Sequence, residues 1–222
     1  IIGQAQTGTG KTAAFGLPML NNIANRKAIS SIILAPTREL AIQVHDELVK
    51  LAKYEKLNVV AVYGGAPIHN QIRDIKKANI VVGTPGRVLD HIRRGTLPLD
   101  SVEFLVLDEA DEMLNMGFID DMEEIMKSIP EERQTLLFSA TMPSQIKKLT
   151  KKYLKEDSVH IAIARKELTG STITQNFFEV NNNERFETLC RLIDFDNPSA
   201  GIIFCKTKKG VDDLVSSMQS RG

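Results

Sequence analysis

The chain has 222 residues, 42% of them hydrophobic, enough for one complete domain core and part of a second. Lys plus Arg and Asp plus Glu number 28 each, so no bulk positive field draws the chain to nucleic acid, and any such binding needs a locally organised surface. No apolar run suits a membrane span, no signal peptide is visible, and Cys190 and Cys205 sit far apart without metal spacing; together these predict a cytoplasmic protein with reduced thiols.

Ile1-Ile2 reads as the tail of a strand. It leads into Ala5-Gln6-Thr7-Gly8-Thr9-Gly10-Lys11-Thr12, a P-loop pattern. The backbone N–H groups of Thr7, Gly8, Thr9 and Gly10 are expected to wrap triphosphate oxygens. Lys11 would reach the outer phosphates, and the Thr12 hydroxyl would ligate Mg²⁺. The general pattern begins with Gly where this chain has Ala5, but Gly8 and Gly10 still allow close backbone approach.

The apolar run 31–35 predicts the next strand, ending at Pro36-Thr37-Arg38-Glu39. Residues 38–54 follow with helical spacing, placing Leu40, Ala41, Val44, Leu48, Leu51 and Ala52 on one side. Strands are predicted at 58–63, before Gly64-Gly65, and at 80–83, before Thr84-Pro85-Gly86-Arg87. Another at 104–107 ends in Asp108-Glu109-Ala110-Asp111. Asp108 suits a ligand for hydrated Mg²⁺, and Glu109 a base that orients and deprotonates an attacking water. A helical stretch includes 122–126, a strand at 135–138 ends in Ser139-Ala140-Thr141, a helix covers 145–154, and a last strand covers 159–163.

These runs are continuous rather than alternating, as in parallel strands covered on both faces. Strand–helix alternation predicts an α/β fold, a doubly wound and mostly parallel sheet. Ligands in such sheets bind beyond the carboxyl ends of the strands, so six polar clusters converge on one edge. That exceeds the need of one nucleotide and implies a second, extended ligand. Pro36, Thr37 and Arg38 with Gly65, Thr84, Gly86 and Arg87 suit a phosphodiester backbone tracked without regard to sequence. Pro-Thr-Arg-Glu and Thr-Pro are equally good helix-start chemistry, and Gly-Gly alone is commonly a turn. Aromatics make up 5% with no Trp, which disfavours base stacking.

The polar stretch 165–172 reads as a linker between a first domain at 1–164 and the beginning of a second at 173–222. Strands are predicted at 174–180 and 200–205, helices at 183–195 and 208–219, and Cys205 as core. His69, His91 and His160 lack ligand partners at metal spacing.

The ordered set AQTGTGKT at 5–12, PTRELA at 36–41, Gly64-Gly65, TPGR at 84–87, DEAD at 108–111 and SAT at 139–141 resembles the DEAD-box RNA helicases of superfamily 2, particularly the bacterial cold-shock and RNA-degradation type. Residues 202–205 look like that family's fourth motif. The family also accepts Ala at the first P-loop position. The resemblance implies two RecA-like domains, ATP and Mg²⁺ in the cleft between them, and RNA held by its backbone across both. It implies RNA-processing or ribosome-assembly proteins as partners. It assigns Ser139 and Thr141 to a hydrogen-bond relay with Asp111 that links hydrolysis to RNA handling. The family's upstream adenine-reading glutamine and late second-domain arginines are not matched here; Gln4 and Gln6 are not that glutamine. An arginine finger contributes roughly 10³ to 10⁵ in rate. The expectation is therefore a parent ATP-dependent RNA helicase cut at both ends, with this chain alone unable to unwind RNA. A DNA translocase of the same superfamily and an ATP-gated RNA clamp without turnover are the alternatives.

Overall fold

The computed structural model describes residues 1–5, 9–23, 28–162 and 174–221. Thr7, Gly8 and the predicted linker at 165–172 lie outside them. The chain divides into two compact units, Ile1–Arg165 and Lys166–Gly222.

In the first unit, strands and helices alternate in chain order. They run β1 (Ile2–Gln4), α1 (Lys11–Ile23), β2 (Ser31–Leu34), α2 (Arg38–Leu51), β3 (Val59–Val62), α3 (Ile68–Ile75) and β4 (Ile80–Gly83). Then come α4 (Pro85–Arg93), β5 (Phe104–Leu107), α5 (Ala110–Asn115), α6 (Ile119–Ser128), β6 (Gln134–Ser139), α7 (Ser144–Tyr153) and β7 (His160–Ala162). The seven strands form one sheet in the order β3-β4-β2-β5-β6-β1-β7, and every pairing is parallel.

The period-2 alternation of strand side chains divides the core in two. Ile32, Leu34, Val81, Leu105 and Leu107 pack with Val88 of α4, Met113 of α5, Ile125 of α6 and Ile146 of α7. Ile33, Val82 and Val106 point the other way, onto Phe15 and Met19 of α1 and Val44 and Leu48 of α2. Both faces are thus covered, which explains the unbroken apolar runs. Met113, Met122 and Met126 are core, whereas Met116 is exposed.

Gly83 closes β4 where a side chain has no room. A Cβ there would lie 2.5 Å from Val62 Cγ2 and 2.6 Å from Val62 O. The chain can therefore turn tightly into Thr84 and α4 beside the end of β3.

The second unit contains a 3₁₀ turn at Asn182–Glu184 and the helices α8 (Arg185–Asp196) and α9 (Lys208–Arg221). The strands expected at 174–180 and 200–205 are not formed: neither segment has a ladder partner among the described residues. Strand character requires a neighbour to receive its backbone hydrogen bonds. Ile202 and Phe204, apolar enough to predict a buried strand, are 82% and 90% exposed. Cys205, expected in the core, is only half-buried, while Cys190 of α8 is buried. Among the described residues no helix is long and apolar enough to cross a membrane.

Candidate ATP and RNA site

The strand order sorts the polar clusters by space rather than by sequence. The carboxyl ends of β5, β6 and β1 are neighbours and carry Asp108-Glu109, Ser139-Ala140-Thr141 and the loop into Lys11. The ends of β3, β4 and β2 are likewise neighbours and carry Gly64-Gly65, Thr84 to Arg87 and Pro36 to Arg38. One edge of the sheet therefore has two halves.

On the first half, Lys11 Nζ lies 3.4 Å from Asp108 Oδ1 and 4.0 Å from Glu109 Oε1. Lys11 and Thr12 open α1, after Gly10 at φ +84°, where a Cβ would meet nothing within 4 Å among the described residues. This is a left-handed turn suited to glycine. Asp108 is 3% exposed. Burial pushes its carboxyl above the usual range, against the opposing pull of Lys11. Its Oδ1 is buried and, apart from its ion pair with Lys11, accepts no hydrogen bond among the described residues. A buried carboxylate oxygen with acceptor capacity to spare fits a hard divalent cation such as Mg²⁺, and Thr12, next to Lys11 at the head of α1, offers a hydroxyl. Glu109 adopts φ 52°, ψ 53° at the head of α5. A left-handed non-glycine residue costs about 1–3 kcal/mol and recurs at functional sites. A cavity of ≈ 230 Å³ opens beside Lys11, lined by Gly3, Ala5, Thr9, Ala14 and Phe138 among others. Larger hollows near Arg133 and Tyr153 lie at the amino end of β6, remote from these groups.

Asp111 ties β5 to β6. Its Oδ2 accepts from the Thr141 N–H at 2.8 Å and the Thr141 hydroxyl at 2.7 Å. Ser139 Oγ accepts from the Asp111 N–H at 3.3 Å and donates to Thr141 O at 2.6 Å. Burial alone would raise the Asp111 carboxyl, but these bonds outweigh it and hold the group below the usual carboxylate range. Gln4 Nε2 donates to Ala140 O at 3.3 Å, joining β1 to the same loop.

On the second half, Arg38 opens α2 with its Cζ 5.0 Å from the Tyr63 ring centroid, a cation–π distance. Its Nη1 is 3.9 Å from the position a Gly65 Cβ would take, so the paired glycines leave space beside this guanidinium. Thr37 is the N-cap of α2, its hydroxyl accepting from the Leu40 N–H at 3.2 Å. Thr84 stands at the N-cap of α4, ahead of Pro85, but its side chain caps nothing. Gly86 lies near Asp121 and Phe118. Arg87 Nη1 donates to Ala66 O at 3.0 Å and to Gln71 Oε1 at 3.1 Å.

Two residues of this region had no signal in the sequence. Gln71 and His91 are 6% and 0% exposed, and they join Arg87 through a buried polar network. A glutamine and a histidine at ordinary helical spacing look like surface residues until the packing is known. Among the described residues no group of three or more His, Cys, Asp or Glu side chains could hold a metal ion, so any Mg²⁺ would complete its shell with ligand oxygens and water, as that ion commonly does.

Residues 1–149 match the DEAD/DEAH box helicase family. The whole chain is 55% identical to the ATP-dependent RNA helicase CshA of Listeria monocytogenes and covers 43% of that protein. It is 51% identical to the DEAD-box ATP-dependent RNA helicase CshA of Bacillus subtilis and covers 45% of it. The chain thus spans under half the length of these relatives. The crystal structure of a DEAD box protein from the hyperthermophile Methanococcus jannaschii superposes with a TM-score of 0.71 at 49% identity, over 100% of this chain and 59% of that one. With the all-parallel RecA-like sheet and the ordered motifs on its carboxyl edge, the chain belongs to the DEAD/DEAH box helicase family.

Proposed function

We propose that this chain supplies the ATP-hydrolysing and RNA-gripping edge of a cytoplasmic ATP-dependent RNA helicase. The observation that carries this reading is the division of one sheet edge into a Lys11–Asp108–Glu109 half and an Arg38–Arg87 half. Thr7, Gly8, Thr9 and Gly10 would bind the phosphates of ATP, with Lys11 leaving Asp108 for the outer phosphates. Thr12 and Asp108 would hold Mg²⁺, which when bound would supply positive charge to offset that of the phosphates. Glu109 orients the attacking water and takes its proton. Asp111, Ser139 and Thr141 form a hydrogen-bonded bridge whose partners exchange when nucleotide state changes. Pro36, Thr37, Arg38, Gly65, Thr84, Gly86 and Arg87 line the path of an RNA backbone, bound through phosphates without reading bases.

The second unit is read as the beginning of a second RecA-like domain, with the linker at 165–172. RNA-processing or ribosome-assembly proteins are the expected partners. In the full-length protein, Glu109→Gln should retain Mg²⁺-nucleotide binding and lower single-turnover ATP hydrolysis by about 10² to 10⁴-fold. Wild-type hydrolysis by this variant would remove Glu109 from the base role.

A further inference from the structure

We infer that Gln71 is a positioning residue that ties the two RNA-facing arginines, Arg38 and Arg87, into one unit; this rests on the reading of those arginines as phosphate contacts. Gln71 lies on α3, inside the fold. Its Nε2 donates to Tyr63 O at 3.0 Å, and its Oε1 accepts from Arg87 Nη1 at 3.1 Å and from His91 Nε2 at 3.1 Å. The amide has only one workable orientation. A carbonyl such as Tyr63 O can only accept, and a guanidinium can only donate. His91 must then donate from Nε2, while its Nδ1 meets Thr96 Oγ1 at 2.9 Å.

Each end of this amide leads to an arginine. Tyr63, whose backbone Gln71 anchors, places its ring against the Arg38 guanidinium. Arg87 is held directly through Nη1, which serves both Gln71 and Ala66. Its Nε and Nη2 carry no hydrogen bond among the described residues. They form the edge of the guanidinium that matches a phosphate with two parallel bonds. Gln71 thus sets the orientation of one guanidinium and steadies the platform of the other. Three neighbouring strand ends, those of β3, β4 and β2, are joined in this way.

The test compares single-stranded RNA affinity of the full-length protein, with a non-hydrolysable ATP analogue present, in wild type, Arg38→Ala, Arg87→Ala, Gln71→Met and Gln71→Met/Arg87→Ala. Methionine keeps length and volume but removes both ends of the bridge. Gln71→Met is expected to weaken RNA binding about tenfold, a coupling typical of contacting polar groups. In the Arg87→Ala background the further loss should shrink to about threefold or less, because the bond to Arg87 is already gone. Mg²⁺-ADP affinity without RNA should not change with Gln71→Met. An unaltered RNA affinity, an equal loss in both backgrounds, or a parallel loss of ADP affinity would overturn the inference. If Gln71→Met does not fold, Gln71→Glu serves. Its carboxylate draws Arg87 inward and opposes Tyr63 O, so RNA binding should again fall, and unchanged binding overturns the inference. Weakened binding in the two arginine variants with none in the Gln71 variants would sink this inference alone. No weakening in the arginine variants would sink the RNA-contact reading as well.

Discussion

Thr37 and Thr84 occupy equivalent places at the starts of α2 and α4, yet the structure uses them differently. The Thr37 hydroxyl caps its helix through Leu40 N–H, whereas the Thr84 hydroxyl makes no cap bond. Thr37→Ala should therefore lower stability by about 1 kcal/mol in urea unfolding. Thr84→Ala should lie within about 0.5 kcal/mol of wild type while weakening RNA binding; a reversed order would contradict this assignment. Asp111 makes a different kind of contribution. Its carboxyl is held below the ordinary range by Thr141 and Ser139, so the charged form is favoured in the folded state. The resulting stability is fully present above the unfolded carboxylate value of about 3.9 and is lost as pH falls through the lower folded value. The stability deficit of Asp111→Asn should thus be largest near neutrality and shrink below about pH 4. A deficit independent of pH would show that shape, not charge, matters there. At this scale the sequence picked out Lys11, Asp108 and Asp111 from short motifs, and the structure brings Lys11 to Asp108 and Asp111 to Thr141. It did not show the burial of Gln71 and His91, which depends on partners far away in the chain.

Among the elements, β2 to β6 were legible because each is a short β-branched or Leu-rich run followed at once by a polar cluster. Helix α2 was legible because its apolar stripe is clean. Helix α1 was not, since Gly16 and Pro18 lie inside it, and both are poor helix-interior residues. The start of helix α4 was legible, because Thr84-Pro85 is helix-start chemistry and the helix does begin at Pro85. Strand order was the largest gap. The P-loop and the Pro36 to Arg38 cluster are successive in sequence but belong to β1 and β2, with β5 and β6 between them. Only the sheet shows that the clusters form two contiguous halves. Gly83 sits at the junction of β3 and β4, on the half of the edge that carries Arg38 and Arg87. Gly83→Ala should destabilise the protein by about 1–3 kcal/mol, because the new methyl meets backbone as well as side chain. A denaturation midpoint equal to wild type would mean that β3 and β4 separate more easily than their packing implies.

For the molecule as a whole, the two units differ in how completely their apolar residues are enclosed. The first buries a core on both faces of its sheet. The second has two helices among its described residues, while Phe177, Phe195, Ile202 and Phe204 remain largely exposed. The strand expectation failed there because a run of apolar residues specifies a strand only when neighbouring strands are present to pair with it. The motif clusters Lys11, Asp108-Glu109, Arg38 and Arg87 all lie in the first unit, and the central proposal is that one edge of its sheet serves ATP and RNA side by side. RNA-stimulated ATP hydrolysis by the full-length protein tests this most directly, comparing wild type with the Arg38→Ala/Arg87→Ala double variant at saturating ATP and increasing RNA. The account predicts that RNA of unrelated sequences accelerates the wild type and that the double variant needs far more RNA, or shows no acceleration at all. Undiminished stimulation of the double variant at the same RNA concentrations would contradict it.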